Sequence, residues 1–213
     1  MPVHVVQARV AHLWTKVRDH KTSPQAFRGY ARRLMRVIGE EGISYVRPMA
    51  VTVTTPVGPD VVFSGIENEL EKVVVVSIIR AGDSLLDVMM ELIPECSVGK
   101  ILIQRDEETA EPKLFYSKLP SSLEGQSVLL VDPMLATGGS AVVAIKILIE
   151  HGVQQRDIVF LNVVSCPEGL KKMQDAYPEV TIVTGCIDTE LNERKYIVPG
   201  LGDFGDRFFG TCS

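Results

Sequence analysis

Residues 128–140 read VLLVDPMLATGGS. An apolar run enters Asp132, and a few positions later the chain reaches Thr137-Gly138-Gly139-Ser140. A short apolar run that ends at an acid and precedes a helical pattern predicts a buried parallel strand. The helix is expected to start at the Thr-Gly-Gly-Ser turn. It carries Val142, Val143, Ile145, Leu148 and Ile149 at helical spacing, with Gly152 as its stop. Strand, glycine turn and helix together aim backbone donors and hydroxyls at the space above the strand end, where the helix dipole favours an anion. Two readings compete for the glycines. Gly138-Gly139 alone suit an ordinary structural strand-to-helix turn. An acid at the end of a buried strand shifts the balance towards a binding task. A nucleotide P-loop is excluded, because no Gly-Lys-Ser/Thr follows the glycines.

The same unit recurs upstream. Lys72–Ile79 contains VVVVSII, a β-branched run that reads as a central strand. Arg80-Ala81-Gly82-Asp83 ends it, and a helix with Leu85, Leu86, Val88, Met89 and Leu92 follows, with Pro94 beyond its end. Ile101–Gln104 is a further strand. The polar stretch Arg105–Pro112 comes next, before Leu114-Phe115-Tyr116. A long polar segment inside a compact domain is either disordered or a functional lid. Downstream, Asp157–Val164 and Val180–Val183 read as strands around a helix at Pro167–Tyr177. Strands alternating with helices predict an α/β domain with a mostly parallel sheet. Right-handed crossovers place the strand ends on one rim, where such sheets bind ligands. Arg80-Ala81-Gly82, Arg105 and the residues from Asp132 onward are therefore the candidates.

The flanks are simpler. Pro2–Val6 reads as a short strand and Val10–Val17 as a helix with Val10, Leu13, Trp14 and Val17 on one stripe. Thr22-Ser23-Pro24 is a hydroxyl cap followed by proline at the first helical position. In the helix that follows, Arg28, Arg32, Arg33 and Arg36 read as a solvated face. Met49–Thr55 and Val61–Phe63, joined by Pro56-Val57-Gly58-Pro59-Asp60, predict a β-hairpin outside any βαβ unit.

With 213 residues, 46% hydrophobic and 23% charged, the chain fits one soluble domain with a large core. A net charge of −5 argues against a general nucleic-acid binder but not against a small anionic ligand. Cys96, Cys166, Cys186 and Cys212 are scattered, which predicts free thiols in a reducing compartment. His4, His12, His20 and His151 lack metal-ligand spacing. No apolar run is long enough for a bilayer, and MPVHVVQARV lacks the features of a signal peptide. A cytoplasmic protein without membrane or nucleic-acid partners is expected.

The C-terminal stretch Tyr196–Thr211 reads YIVPGLGDFGDRFFGT. Its glycines and proline predict an irregular segment. Its interleaved Ile197, Val198, Leu201, Phe204, Phe208 and Phe209 predict that the segment is packed. Backbone bared by glycine in a packed loop suits recognition of a flat polar ring.

These stretches carry a resemblance. Residues 128–140 resemble the phosphoribosyl-pyrophosphate motif of the type I phosphoribosyltransferases: apolar strand, acid, then Thr-Gly-x-Thr/Ser. Many members have a second acid where this chain has Pro133. The Asp132-Pro133 pair is similar to the uracil phosphoribosyltransferase branch. Arg80-Ala81-Gly82 stands in the place of the family's pyrophosphate loop. Gln104–Thr109 resembles the eukaryotic members, and Tyr196–Thr211 resembles the uracil-recognition loop. The likeness runs roughly from Ser23 to Thr211; the region before it matches poorly.

The resemblance implies one type I phosphoribosyltransferase domain over residues 1–213. It has a mostly parallel central sheet flanked by helices, a hairpin arm at 49–66, a flexible lid at 105–120 and a uracil-recognition region at 187–211. It implies transfer of phosphoribose to uracil, giving UMP and pyrophosphate. Asp132 would bind the ribose hydroxyls. Ala136, Thr137, Gly138, Gly139 and Ser140 would wrap the 5′-phosphate, with Pro133, Met134 and Leu135 in the same motif. Arg80, Ala81, Gly82 and Arg105 would hold the pyrophosphate. Ile197, Gly202 and Phe204 would contact the base, and Asp203 would lie between base and phosphoribosyl pyrophosphate on the shell of a Mg²⁺ ion, through water. Arg80, Arg105, Asp132 and Asp203 are the implied catalytic set. Uracil presents an acceptor-donor-acceptor edge that backbone groups match in a fixed order, and cytosine would leave those groups unpaired. A homodimer or homotetramer is implied, with the arm against a neighbouring subunit. Some members are activated by GTP, so GTP enters as an allosteric effector without an assigned site. The roles of Asp83, Asp106, Glu107 and Glu108 stay open. Two alternatives remain: a phosphoribosyltransferase for another base, and a non-catalytic nucleotide-sensing regulator on the same fold.

Overall fold

Strand β1 (Val3–Val5) and helix α1 (Ala11–Arg18) lead into the long helix α2 (Pro24–Ile43) in the computed structural model, which describes residues 2–7, 9–105 and 112–211, and only the backbone of Arg105 and Pro112. Helix α2 starts as its sequence dictates: Ser23 Oγ accepts the amide of Ala26 at 3.3 Å and Pro24 takes the first helical position. The hairpin β2 (Pro48–Thr54) and β3 (Val62–Asn68) follows, then β4 (Val73–Ile79), α3 (Asp83–Leu92), β5 (Ser97–Arg105) and β6 (Pro112–Lys118). The second half comprises β7 (Ser127–Val131), β8 (Met134–Leu135), α4 (Gly139–Glu150), β9 (Ile158–Ser165), α5 (Pro167–Ala176) and β10 (Thr181–Ile187).

The main sheet runs β1-β10-β9-β7-β4-β5-β6, and β8 adds to β9 beyond the end of β7. All pairings in it are parallel except β5 with β6. The chain turns outward to β5 after β4, then returns to place β7 on the other side of β4. The strand order therefore reverses between β4 and β7. Their C-terminal ends deliver Arg80 and Asp132 to the same rim, at the switch point where parallel sheets open a crevice.

Both faces of the sheet are covered, which explains why its strands read as continuous apolar runs. Alternate residues serve opposite cores. Val73, Val75, Leu129, Val131, Leu161 and Val163 pack with Phe27, Leu34 and Ile38 of α2. Val74, Val76, Val128, Leu130 and Phe160 pack with Ala144, Ile145 and Leu148 of α4 and Met173 of α5. Among the described residues no helix is long and apolar enough to cross a membrane.

One expectation changes and one open role is filled. The arginines of α2 are not a free solvated face. Arg32 and Arg36 both pair with Glu91 of α3, Arg33 meets His12 at 3.3 Å, and Arg28 donates to the carbonyl of Phe208 at 3.0 Å. Helices brought together by the core supplied partners that no local pattern announces. Asp83 also gains a structural role: it accepts from Ser77 Oγ at 2.7 Å and pairs with Lys100 Nζ at 3.0 Å, tying the start of α3 to β4 and β5. Within the expected lid at 105–120, Pro112–Lys118 form the edge strand β6, paired with β5. Asp106, Glu107 and Glu108 of the expected lid, like Cys212, lie outside the described residues.

The hairpin β2–β3 carries much of the exposed apolar surface. Phe63 and Ile66 are 61% and 70% exposed, which singles them out against a core whose aliphatic and aromatic side chains are sealed. Its base is anchored by Arg47, which pairs with Glu69 at 3.0 Å and Asp157 at 3.3 Å, and by Asn68 donating to the Val46 carbonyl at 2.7 Å.

Candidate active site

Strand β7 is buried along its whole length, and the chain leaves it under restraint. The Asp132 amide donates to the Leu161 carbonyl at 3.2 Å, and the Pro133 carbonyl accepts from Val163 at 2.9 Å and Val164 at 3.1 Å. Pro133 itself is buried. These bonds hold the backbone to β9 and leave the Asp132 carboxylate at the rim. Burial pushes that acid up to about 7, the amide of Met134 pulls it down, and the nearby Asp203 carboxylate pushes it up again.

Beyond Asp132 the chain forms a small cradle. A depression of about 70 Å³ is lined by Asp132, Leu135 and residues 136–141. Gly138 caps α4 with φ +74°, a conformation that favours glycine, and a Cβ there would stand 3.0 Å from the Gly169 carbonyl. The first amides of α4 have no intrahelical acceptor and sit at the positive end of the helix. Below, Cys166 Sγ donates to the Ala136 carbonyl at 3.0 Å, fixing the cradle to the start of α5. The donor set suits a phosphate-sized anion.

A larger cleft of about 350 Å³ adjoins the cradle and shares Asp132, Met134 and Ala136 with it. Ile197, Gly202, Asp203 and Phe204 form its other wall, and Ala81 and Gly205 also line it. The C-terminal stretch is more regular than expected. Strands β11 (Glu190–Leu191) and β12 (Ile197–Val198) make a small antiparallel hairpin, and Phe204–Phe209 form helix α6. The same residues that read as loop punctuation are the helix's start and stop signals. Asp203 Oδ1 accepts the Asp206 amide at 2.8 Å as a cap, and Gly210 ends the helix in the left-handed region. Phe204 lies edge-on to Phe27 of α2, with centroids 5.2 Å apart, and Phe204 and Phe208 stack at 5.8 Å. The aromatic Phe204–Phe27 pair contributes about 0.5–1.5 kcal/mol beyond its buried area.

The structure thus brings Ala81, Asp132, Met134, Leu135, residues 136–140, Ile197, Gly202, Asp203 and Phe204 to one continuous depression. Arg80 stands beside it, not in its lining. Its Nη2 pairs with Asp206 Oδ1 at 2.5 Å, its Nη1 donates to Thr211 Oγ1 at 2.9 Å, and its guanidinium lies 5.6 Å from the Phe209 ring centroid. Gly82 is a packing residue: a Cβ there would fall 2.4 Å from the Val131 carbonyl oxygen and 2.6 Å from that of Ile78. This contact lets the turn after β4 press against β7. Arg105 ends β5 on the same rim by its backbone position.

Sequence reasoning missed Arg194 and Lys195, which line the cleft with Tyr196. They sit on a turn built by Asn192, whose Oδ1 accepts the amides of Arg194 and Tyr196, both at 3.0 Å. Lys195 has φ +64°, an uncommon value for a side-chain-bearing residue. The available signal was the Asn-x-Arg-Lys spacing, an Asx turn placing two cations beside the base-loop motif. Among the described residues no group of three or more His, Cys, Asp or Glu forms a metal cluster. The thiols of Cys96, Cys166 and Cys186 are free.

A family model described as uracil phosphoribosyltransferase matches residues 5–211. The chain is 46% identical over 214 residues to the uracil phosphoribosyltransferase of Dictyostelium discoideum, covering 99% of this chain and 98% of that one. It is 46% identical to the uracil phosphoribosyltransferase of Saccharomyces cerevisiae, covering 92% of this chain and 90% of the relative. Among solved structures, the AQ2163 protein from Aquifex aeolicus is similar with a TM-score of 0.82 at 33% identity, covering 98% of each chain. A hypoxanthine-guanine phosphoribosyltransferase from Bacillus anthracis is similar in fold, with a TM-score of 0.50 at 12% identity over 78% of this chain and 80% of that one. Matched over nearly its whole length by the family model and by these relatives, the chain belongs to the uracil phosphoribosyltransferase family.

Proposed function

We propose that the chain transfers phosphoribose from 5-phosphoribosyl 1-pyrophosphate to uracil, giving UMP and pyrophosphate. The observation that carries this reading is the shared wall of Asp132, Met134 and Ala136 between a phosphate-sized cradle and a ring-sized cleft. A ribose joining a 5′-phosphate to a base has to cross such a wall. In this reading the backbone of Ala136–Ser140 holds the 5′-phosphate and Asp132 the ribose hydroxyls. Ile197, Gly202 and Phe204 hold the base. Arg80 and Arg105 supply fixed positive charge to the departing pyrophosphate. Uracil N1 forms its bond to C1′ as the bond from C1′ to the pyrophosphate oxygen breaks, with the bonding pair leaving on that oxygen and the N1 proton passing to water. The enzyme's share of the barrier is positioning and electrostatic stabilisation.

The residues present fit a Mg²⁺ ion. Asp132 and Asp203 repel one another across one cleft, which a cation would relieve. Mg²⁺ typically takes one or two protein carboxylates and completes its shell with water and substrate phosphates. Asp203 would hold it through water, and bound there it would offset negative charge on the pyrophosphate. The exposed apolar hairpin β2–β3 supports a homodimer or higher assembly of like subunits.

Pyrophosphate release with phosphoribosyl pyrophosphate, Mg²⁺ and each base in turn tests the function. Release is expected with uracil and not with cytosine, adenine or orotate; absence of release with every base favours a non-catalytic sensor. In the same assay Arg105→Ala should lower turnover by about 10²–10³-fold, the typical cost of losing one transition-state donor, with an unchanged melting temperature. Near-normal turnover would remove Arg105 from the mechanism.

Asp132 also predicts a pH effect on the ligand-free, metal-free protein. Its folded pKa, about 7, lies above the ordinary 3.8, so the folded state holds the proton more tightly. The stability this contributes is complete below about pH 4 and is lost as pH rises through about 7. Urea unfolding between pH 4 and 8 should show wild type losing a few kcal/mol relative to Asp132→Asn. Parallel pH profiles for the two proteins would contradict it.

A further inference from the structure

The cleft's base-side wall is held by residues far from it in sequence. Gly200 sits at the turn between β12 and the cleft residues Gly202–Phe204, with φ +60°. Both of its backbone polar groups are taken. Its amide donates to Asp188 Oδ2 at 2.8 Å, and its carbonyl accepts from Arg18 Nη1 at 2.7 Å. Arg18 and Asp188 also bind each other in a two-pronged pair, Nη1 to Oδ2 at 2.9 Å and Nη2 to Oδ1 at 2.6 Å. The Asp188 side chain is only 6% exposed, so this is a sheltered pair and not a surface one. Arg18 Nη2 touches Cys186 Sγ at 3.2 Å, and the guanidinium lies 5.3 Å from the Trp14 ring centroid.

A second arginine runs in the opposite direction. Arg207 of α6 donates to the carbonyls of Val17 at 2.5 Å and Asp19 at 2.8 Å, on either side of Arg18. It also donates to the Leu201 carbonyl at 2.6 Å. The C-terminal end of α1 is thus stapled to the stretch 200–207 from both sides. A cation at a helix C-terminus is favoured by the dipole. Helix α1 precedes the motifs that carry the sequence resemblance but lies within residues 5–211 that the family model matches, and no residue of α1 lines the cleft.

We propose that Arg18 is a positioning residue for base recognition: with Asp188 it grips both backbone polar groups of Gly200 and so sets the backbone of Ile197–Phe204 in the order that reads the base edge. This rests on the base transfer proposed above. Removing the guanidinium leaves the Gly200 carbonyl without its donor and strands the Asp188 carboxylate in a sheltered site. The loop then relaxes, while the phosphate cradle, built on β7, β9 and α4, does not depend on the pair.

The test is steady-state kinetics of Arg18→Met, Arg18→Lys and the double variant Arg18→Met/Asp188→Asn, each with uracil varied and then with phosphoribosyl pyrophosphate varied. Hydrogen exchange of the amides of residues 200–204 is measured alongside. Arg18→Met should raise the uracil KM about tenfold or more and leave the KM for phosphoribosyl pyrophosphate within about twofold. Arg18→Lys should recover part of the loss. The double variant removes the stranded charge, so it should regain melting temperature yet keep the raised uracil KM and the faster exchange at 200–204. It also serves if Arg18→Met alone fails to fold. Equal rises in both KM values, an unchanged uracil KM, or a double variant with wild-type uracil KM would overturn the proposal. Wild-type protein without uracil-dependent pyrophosphate release would instead overturn the function, and exchange at 200–204 then decides the positioning claim by itself.

Discussion

A carboxylate at the end of a strand buried on both faces is the constraint on which the site depends. The apolar run of β7 excludes water up to Val131, and the next residue is an acid. Such a group is costly unless something receives it. The fold answers by placing β7 beside β4 at the reversal of strand order, so the acid emerges in an open crevice. The bonds from Leu161, Val163 and Val164 fix the backbone around it. Everything after Asp132, from β8 to the glycine turn and α4, inherits its position from that arrangement. The raised pKa records the constraint: burial and the nearby Asp203 favour the neutral acid, and the amide of Met134 offsets this only in part.

The opposite wall is made by a different route. It comes from a stretch without a place in the main sheet and is held by side chains. Asp203 caps α6, Phe204 packs on Phe27, Arg207 reaches α1, and Arg18 reaches back to Gly200. The two halves therefore differ in character. The sugar-phosphate half is set by a backbone ladder, whereas the base half is set by a few ion pairs, aromatic contacts and arginine-to-carbonyl bonds. Arg80 joins them, since it leaves β4 and ends on Asp206 and Thr211 of the C-terminal segment. In the proposed reaction this divides labour between a rigid floor and a wall whose precision is supplied from a distance.

That difference explains what was legible in the sequence. Strands β4, β7 and β9 and helices α2, α3 and α4 follow from local runs, caps and breakers, and the parallel order then brings Arg80 and Asp132 together. Helix α6 was hidden because Asp203 and Gly210, its cap and stop, also read as loop residues. The arginines of α2 looked solvated because Glu91 and the Phe208 carbonyl approach them only through tertiary packing. Arg18 gave no signal at all, being an ordinary charged residue near the end of a short helix. Its partners lie 170 and 182 residues away in sequence. Asp83, whose role the sequence left open, is explained by Ser77 and Lys100 on neighbouring strands.

The central claim is that one ligand spans both halves across Asp132. A crystal structure of the protein with UMP tests it most directly. The phosphate is expected within hydrogen-bonding distance of the amides of residues 137–140, the ribose hydroxyls at Asp132, and the uracil edge against the backbone of Ile197–Phe204. A nucleotide bound outside this cleft, or one whose phosphate lies at Arg194 and Lys195 with its base in the glycine cradle, would contradict it.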